Sequence, residues 1–185
     1  IYNYNYGSYL KECFESAFNQ TYKNFEVLFS DNDSTDNSWE IALEYNNKYP
    51  DKMSLFKNRN NYGTDANLHN CWINCKGEFF VVLCSDDVFE IDFLEKTVSH
   101  MINDNNVGFV LTHRSIIDEK SKIKHEMPFY NKNCKIHPPG QNLVYMMAAV
   151  NPSISQVIYR TSLIDPRSET GTIASRHYGT RIIDF

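Results

Sequence analysis

The chain has 185 residues, 42% of them hydrophobic and 22% charged, with a formal net charge of −5. That length and balance describe one globular domain with a core of its own, and the negative charge argues against a nucleic-acid surface. No apolar run reaches the roughly 20 residues of a membrane-spanning helix, and Cys13, Cys71, Cys75, Cys84 and Cys134 follow no zinc-ligand spacing, so they read as reduced thiols of a cytoplasmic protein.

The chain starts on YNYNYG, Tyr2 to Gly7, a polar aromatic stretch expected to be a loop. Ser8 is the expected N-cap of an amphipathic helix from Tyr9 to Asn19, with Leu10, Cys13, Phe14, Ala17 and Phe18 on one face. A loop that opens a helix normally follows a strand in an α/β unit, so the first strand is expected to be missing or truncated. Phe25 to Ser30 reads as a strand that ends in Asp31, Asn32, Asp33, Ser34, Thr35 and Asp36. Asp33 or Ser34 is the expected cap of the next helix, which runs to Tyr49 and stops at Pro50. Met53 to Phe56 is a short strand, Asn58 to Gly63 a polar loop, and Asp65 to Cys75 a helix ended by Gly77. Phe79 to Leu83 is then a run of apolar residues that leads straight into Ser85, Asp86 and Asp87. A short continuous apolar run is the pattern of a strand buried on both faces. A helix from Ile91 to Asn103 and a strand from Val107 to Thr112 follow.

Strand and helix alternate up to this point, which argues a doubly wound parallel sheet. Beyond it, Arg114 to Ile117 and Ile123 onward suggest a hairpin or an extended excursion. Pro138, Pro139 and Gly140 precede an expected helix over Leu143 to Ala149, and Ser153 to Tyr159 alternates like a strand. The abundance of Asn, Tyr and Phe reads as coding bias without bearing on mechanism.

Two of the strands end in acids: Asp31 with Asp33, and Asp86 with Asp87. Adjacent carboxylates repel each other and are costly to bury without a partner. In open α/β sheets ligands bind beyond the carboxyl ends of the strands. Acids delivered to that edge suit a hard divalent cation, which takes oxygen ligands.

Tyr4-Asn5, the SAFNQTYKNFEVLFSDNDSTDNS stretch (Ser16 to Ser38), Asn61-Tyr62-Gly63 followed by Asn67, and GEFFVVLCSDD occur in this order. Together they resemble the family 2 glycosyltransferases of the nucleotide-diphospho-sugar transferase (GT-A) fold, over about the first half of the chain. The resemblance implies a three-layer α/β/α, Rossmann-like fold with a mostly parallel mixed sheet. It implies a nucleotide-sugar-binding half (1–112) and an acceptor-binding half (113–185) of one domain. Tyr4 matches the position whose ring packs on the base. Asp31 and Asn32 match a pair of acids for base and ribose, with Asn replacing the second acid. Asn5, Asp33, Asn61, Gly63, Asn67 and Ser85 match the remaining nucleotide-sugar positions, and Asp33 stands where the family often has Gly. Asp86 and Asp87 match the metal carboxylates of the DXD motif, for Mg²⁺ or Mn²⁺, while Cys84 replaces that motif's first acid. Leu68 and His69 replace the usual Arg-Asn pair. Asp184 is implied as the catalytic base, with Asp165 as fallback.

The implied activity is an inverting, metal-dependent sugar transfer from a UDP, dTDP or GDP donor to a glycan or lipid-linked acceptor. Its implied setting is bacterial surface polysaccharide synthesis, in the cytoplasm or at the inner face of the membrane, with peripheral membrane association through other parts and no nucleic acid. Two rivals stay open at this level. A sugar nucleotidyltransferase would need a Gly-rich basic loop for a triphosphate, and YNYGSY has one Gly and no basic residue. A non-catalytic nucleotide- or carbohydrate-binding relative with a decayed metal site would account for Cys84, Leu68 and Ile183, the last standing where the family has an acid beside the catalytic base.

Overall fold

The computed structural model describes residues 1–127 and 153–163. Eight strands and four α-helices are formed among them: β1 (Tyr2–Asn3), α1 (Gly7–Phe18), β2 (Val27–Asp31), α2 (Ser38–Lys48), β3 (Met53–Lys57), α3 (Thr64–Ile73), β4 (Phe79–Val81), α4 (Phe93–Asn103), β5 (Phe109–Leu111), β6 (Arg114–Ile117), β7 (Ile123–Met127) and β8 (Val157–Arg160). Strands β1, β2 and β3 pair in parallel, with β2 in the middle. A parallel bridge from Tyr2 to Cys84 joins this sheet to the stretch after β4. Strand β8 lies antiparallel between β4 and β5. The sheet is therefore mixed and mostly parallel, as expected. The β6–β7 hairpin is also present.

Alternation along β2 sets the layers. Val27 and Phe29 are buried against Leu10, Phe14 and Phe18 of α1 and Ile41, Ala42 and Tyr45 of α2. Phe14 meets Phe29 edge-on at 5.3 Å, and Phe18 stacks on Tyr49 at 4.0 Å. Such ring pairs add about 0.5–1.5 kcal/mol beyond area burial. Ser30 points the other way, toward α3, where its hydroxyl donates to Asn67 Oδ1 at 2.6 Å. A second cluster joins Phe93, Leu94, Val98 and Met101 of α4 to Ile158 of β8. Arg160 locks this end. Its guanidinium pairs with Glu78 at 2.7 Å, donates to the Met101 carbonyl at 2.8 Å and lies over the Phe79 ring.

Several local expectations are corrected. Tyr2 and Asn3 are strand, not loop, because their backbones pair with Ser30 and Asp31 of β2. Ser8 does not cap α1, which starts at Gly7; instead Asp36 Oδ2 accepts the Gly7 N–H at 2.9 Å. Neither Asp33 nor Ser34 caps α2, which starts at Ser38. Ser34 is held by Asp31: its N–H donates to Oδ2 at 2.9 Å and its hydroxyl to Oδ1 at 2.6 Å. Asn74, not Gly77, ends α3. Strand β4 pairs over Phe79–Val81 only, and those residues are half-buried. Val82 and Leu83 are buried beyond the ladder, and the Cys84 N–H leaves the strand pattern to donate to Ser155 Oγ at 3.1 Å. The expected helix over Leu143 to Ala149 lies outside the described residues.

Candidate functional site

The carboxyl ends of β1, β2 and β3 and the stretch after β4 meet on one edge of the sheet. A buried polar frame supports that edge. Asp31 is fully buried, and its carboxylate accepts Asn3 Nδ2 at 2.9 Å besides the two bonds from Ser34. Asn32 Oδ1 accepts Asn58 Nδ2 at 2.9 Å and the Tyr62 N–H at 3.0 Å. Its Nδ2 donates to Asn61 Oδ1 at 2.7 Å and to the Gly63 carbonyl at 3.2 Å. An aspartate here would have no N–H for those two acceptors, so Asn32 suits this loop better than the acid it replaces. Asn67, buried on α3, donates to the Asn3 carbonyl at 3.0 Å and accepts Ser30 Oγ. Asn70 Nδ2 continues the chain of bonds to Asn58 Oδ1 at 2.6 Å. The asparagines are thus the framework of the edge and not mere compositional bias: a side-chain amide can both donate and accept, and Asn32 and Asn67 do both, linking the strand ends around the one buried carboxylate of Asp31.

Above the frame lie the exposed groups. Tyr4 is 42% exposed on the turn after β1. Asn5 follows it at φ 60°, accepting the Thr35 N–H at 2.8 Å, and its own N–H donates to Ser34 Oγ at 2.9 Å. Asp33 is exposed at φ 65°. This backbone region favours glycine, with Asn and Asp the next most tolerant, which accounts for Asp at a position where Gly is frequent. Asp36 ties the turn to both helices, accepting from Gly7 and from the Ser38 N–H and hydroxyl. Burial works against its charge, but the hydrogen bonds from Ser38 and Gly7 prevail and hold its carboxyl below the usual range.

Gly63 closes the third loop at φ 88° and ψ 171°, with its N–H donating to Asn61 Oδ1 at 2.9 Å. That backbone combination is essentially restricted to glycine. No atom lies within 4 Å of where a Cβ would stand, so the cost of a side chain would be backbone strain alone. Gly63→Ala is expected to lower unfolding free energy by about 1–3 kcal/mol, measured as a fall in urea midpoint at constant m-value.

The acids after β4 form the second part of the site. The Cys84 sulfur and one carboxylate oxygen each from Asp86 and Asp87 all lie within 4.8 Å of one another. Asp86 is exposed, and Cys84 and Asp87 are half-buried. Asp87 Oδ2 accepts Ser155 Oγ at 2.6 Å, the same hydroxyl that receives the Cys84 N–H. Ser85 is turned inward, donating to the Tyr2 carbonyl at 2.7 Å. Burial pushes the Cys84 thiol up; Asp87 and Asp86 add to this, while Ser155 and Tyr2 oppose it. Two close carboxylates are oxygen donors that fit a divalent cation; the third donor is sulfur.

Ser155 is the residue that sequence reasoning missed. It comes from the turn before β8, 68 positions beyond Asp87, and no motif marks it. His69 is half-buried on α3. Asp184 and Asp165 lie outside the described residues.

A mixed, mostly parallel sheet with helices packed on it, a polar edge at its strand ends and a Cys-Ser-Asp-Asp stretch on that edge is consistent with a GT-A fold. The chain belongs to glycosyl transferase family 2, whose sequence profile matches residues 1–164. Glycosyltransferase GlyG of Streptococcus pneumoniae is 32% identical over 117 residues, 63% of this chain and 38% of that protein. An uncharacterized glycosyltransferase of Methanocaldococcus jannaschii is 30% identical over 144 residues, 70% of this chain and 49% of that protein. The chain thus spans less than half the length of these relatives. Among solved structures, S. aureus TarS in complex with UDP superposes with a TM-score of 0.61 at 21% identity, covering 88% of this chain and 46% of that one. The mannosyltransferase PcManGT of Pyrobaculum calidifontis, in complex with GDP-Man and Mn²⁺, superposes with a TM-score of 0.55 at 23% identity, covering 60% and 34%. At these identities the structural likeness concerns the fold. Among the described residues no helix is long and apolar enough to cross a membrane.

Proposed function

We propose that this chain is the donor-binding part of a glycosyltransferase that moves a sugar from a nucleoside diphosphate to an acceptor hydroxyl. The observation that carries this reading is the sharing of one sheet edge by exposed Tyr4 and the Cys84–Asp86–Asp87 group. Tyr4 offers an aromatic face to the base. Asp33, Asn5 and Asn61 offer polar groups beside it, and Asp31, Asn32, Asn67, Gly63 and Ser85 hold the loops on which those contacts stand. Asp86 and Asp87 would hold a divalent cation of the Mg²⁺ or Mn²⁺ type. Such a cation, when bound, supplies neutralisation of the charge on the departing nucleoside diphosphate. The bond from the anomeric carbon to the diphosphate breaks and a bond to the acceptor oxygen forms. Asp184 takes the acceptor proton as general base, and attack opposite the leaving group inverts the anomeric carbon.

The UDP bound to TarS and the GDP-Man and Mn²⁺ bound to PcManGT support a nucleoside-diphosphate sugar and a metal as ligands. Residues 113–185 supply the acceptor side, for a glycan or lipid-linked hydroxyl. Bacterial surface polysaccharide assembly on the cytoplasmic side of the membrane completes the reading. Titration with UDP, GDP, CDP and dTDP, with and without Mn²⁺, tests it. One nucleotide should bind at least tenfold more tightly with the metal, and its sugar conjugate should release nucleotide when incubated with the chain. Binding indifferent to metal and to Asp86→Ala, with no release from any donor, would overturn it in favour of a non-catalytic relative.

A further inference from the structure

Cys84 occupies a place where the DXD pattern carries an acid, yet its sulfur has not withdrawn into the core. It lies within 4.8 Å of the Asp86 and Asp87 carboxylates and 3.5 Å from the Tyr2 hydroxyl. Cys13, by contrast, is fully buried and spends its S–H on the Cys84 carbonyl. Ser155 fixes both halves of the group: it receives the N–H of Cys84 and donates to Asp87 Oδ2. Hydrogen-bonded second partners of this kind orient metal ligands.

We propose that Cys84 is itself a metal ligand, and that its sulfur makes this site prefer borderline cations such as Zn²⁺ and Co²⁺ over Mg²⁺. The proposal rests on the reading of this cluster as the metal station of the donor site. Mg²⁺ requires an octahedron of oxygens and takes sulfur poorly, whereas Zn²⁺ and its neighbours accept thiolate and carboxylate together. Bond lengths of about 2.3 Å to sulfur and about 2.1 Å to oxygen put tetrahedral donors about 3.6 Å apart. The three donor atoms lie within 4.8 Å of one another, and Asp86, the exposed member, makes no hydrogen bond among the described residues that would hold it back from a cation. One sulfur and two carboxylates would leave a fourth position for a non-protein ligand, as catalytic sites do, such as a diphosphate oxygen. On binding, the S–H bond of Cys84 breaks, a sulfur–metal bond forms and the proton passes to solvent.

Cobalt reports sulfur ligation directly. Titrating the metal-free chain with Co²⁺ should produce a sulfur-to-cobalt charge-transfer band that saturates at one equivalent. Cys84→Ser should lose that band while keeping the weak visible absorption of carboxylate-bound Co²⁺. Equimolar Zn²⁺ should displace the Co²⁺, and a hundredfold excess of Mg²⁺ should not. Cys84→Asp should reverse the ranking by raising Mg²⁺ affinity at least tenfold. Circular dichroism of both variants checks their fold, and Cd²⁺ charge-transfer absorption in the unmutated chain gives a reading that needs no variant. Visible absorption without a charge-transfer band would overturn the sulfur ligand and leave the metal role of Asp86 and Asp87 standing. A charge-transfer band that survives in Cys84→Ser would also overturn it. Failure of Co²⁺, Mn²⁺ and Zn²⁺ alike to bind would overturn the metal reading as a whole.

Discussion

Asp86→Asn should lower turnover by about a hundredfold or more, the equivalent of roughly 3 kcal/mol of lost charge stabilisation at the leaving group. It should also weaken metal-dependent nucleotide binding. The fold should be indifferent to the change. Asp86 is exposed and makes no hydrogen bond or ion pair among the described residues, and substitutions at such positions stay within about 0.5 kcal/mol. Asp87 is different: it is half-buried and accepts Ser155 Oγ. Asp87→Asn can keep that bond through its amide oxygen while losing the charge. The two variants should therefore share a loss of metal-dependent binding, read by calorimetry with Mn²⁺ and the preferred nucleoside diphosphate. A denaturation midpoint should separate any packing effect at Asp87 from the charge effect common to both. Asp86→Asn with unchanged metal-dependent binding would remove Asp86 from the metal site.

The fold was legible because its signals are local and repeated. The helix faces at Leu10, Phe14 and Phe18, and at Ile41, Ala42 and Tyr45, are periodic, and these residues are buried as the period requires. The acids at the ends of β2 and after β4 stand where a parallel sheet presents its strand ends. What escaped the sequence was whatever depends on partners distant along the chain. Ser8 and Ser34 have the composition of caps, but Asp36 takes the N–H groups at the starts of both α1 and α2, the first of them 29 positions away along the chain. Strand β8 enters between β4 and β5 from far downstream, and with it comes Ser155, an ordinary serine that becomes the support of Asp87. The asparagines looked like composition because an amide network has no period; Asn32, Asn58, Asn61, Asn67 and Asn70 converge only in three dimensions.

Asp31→Ala should be among the most destabilising substitutions in the chain, costing about 3 kcal/mol or more. The carboxylate is fully buried and receives Asn3 Nδ2, the Ser34 N–H and the Ser34 hydroxyl. Alanine would leave these donors facing a cavity. Each buried group deprived of its partner costs about 1–3 kcal/mol, and the costs of neighbours in one network do not simply add. Asn3 Nδ2 also donates to Ser34 Oγ and so keeps one partner, and the loss falls mainly on the N–H and hydroxyl donors of Ser34. Asp31→Asn should cost less, because one oxygen is kept, but its new amide must face one of the same donors. The damage should also reach the site. Asn5 hangs on Ser34, and Tyr4 precedes it on the same turn. Loosening Asp31 therefore lowers both the urea midpoint and the affinity for nucleotide, with metal uptake at Asp86 and Asp87 retained in the fraction still folded. Removing the exposed Asp33 carboxylate by Asp33→Asn, which tolerates the same positive φ, should affect nucleotide affinity alone. An unchanged urea midpoint in Asp31→Ala would show that the buried carboxylate is not what holds the strand ends together.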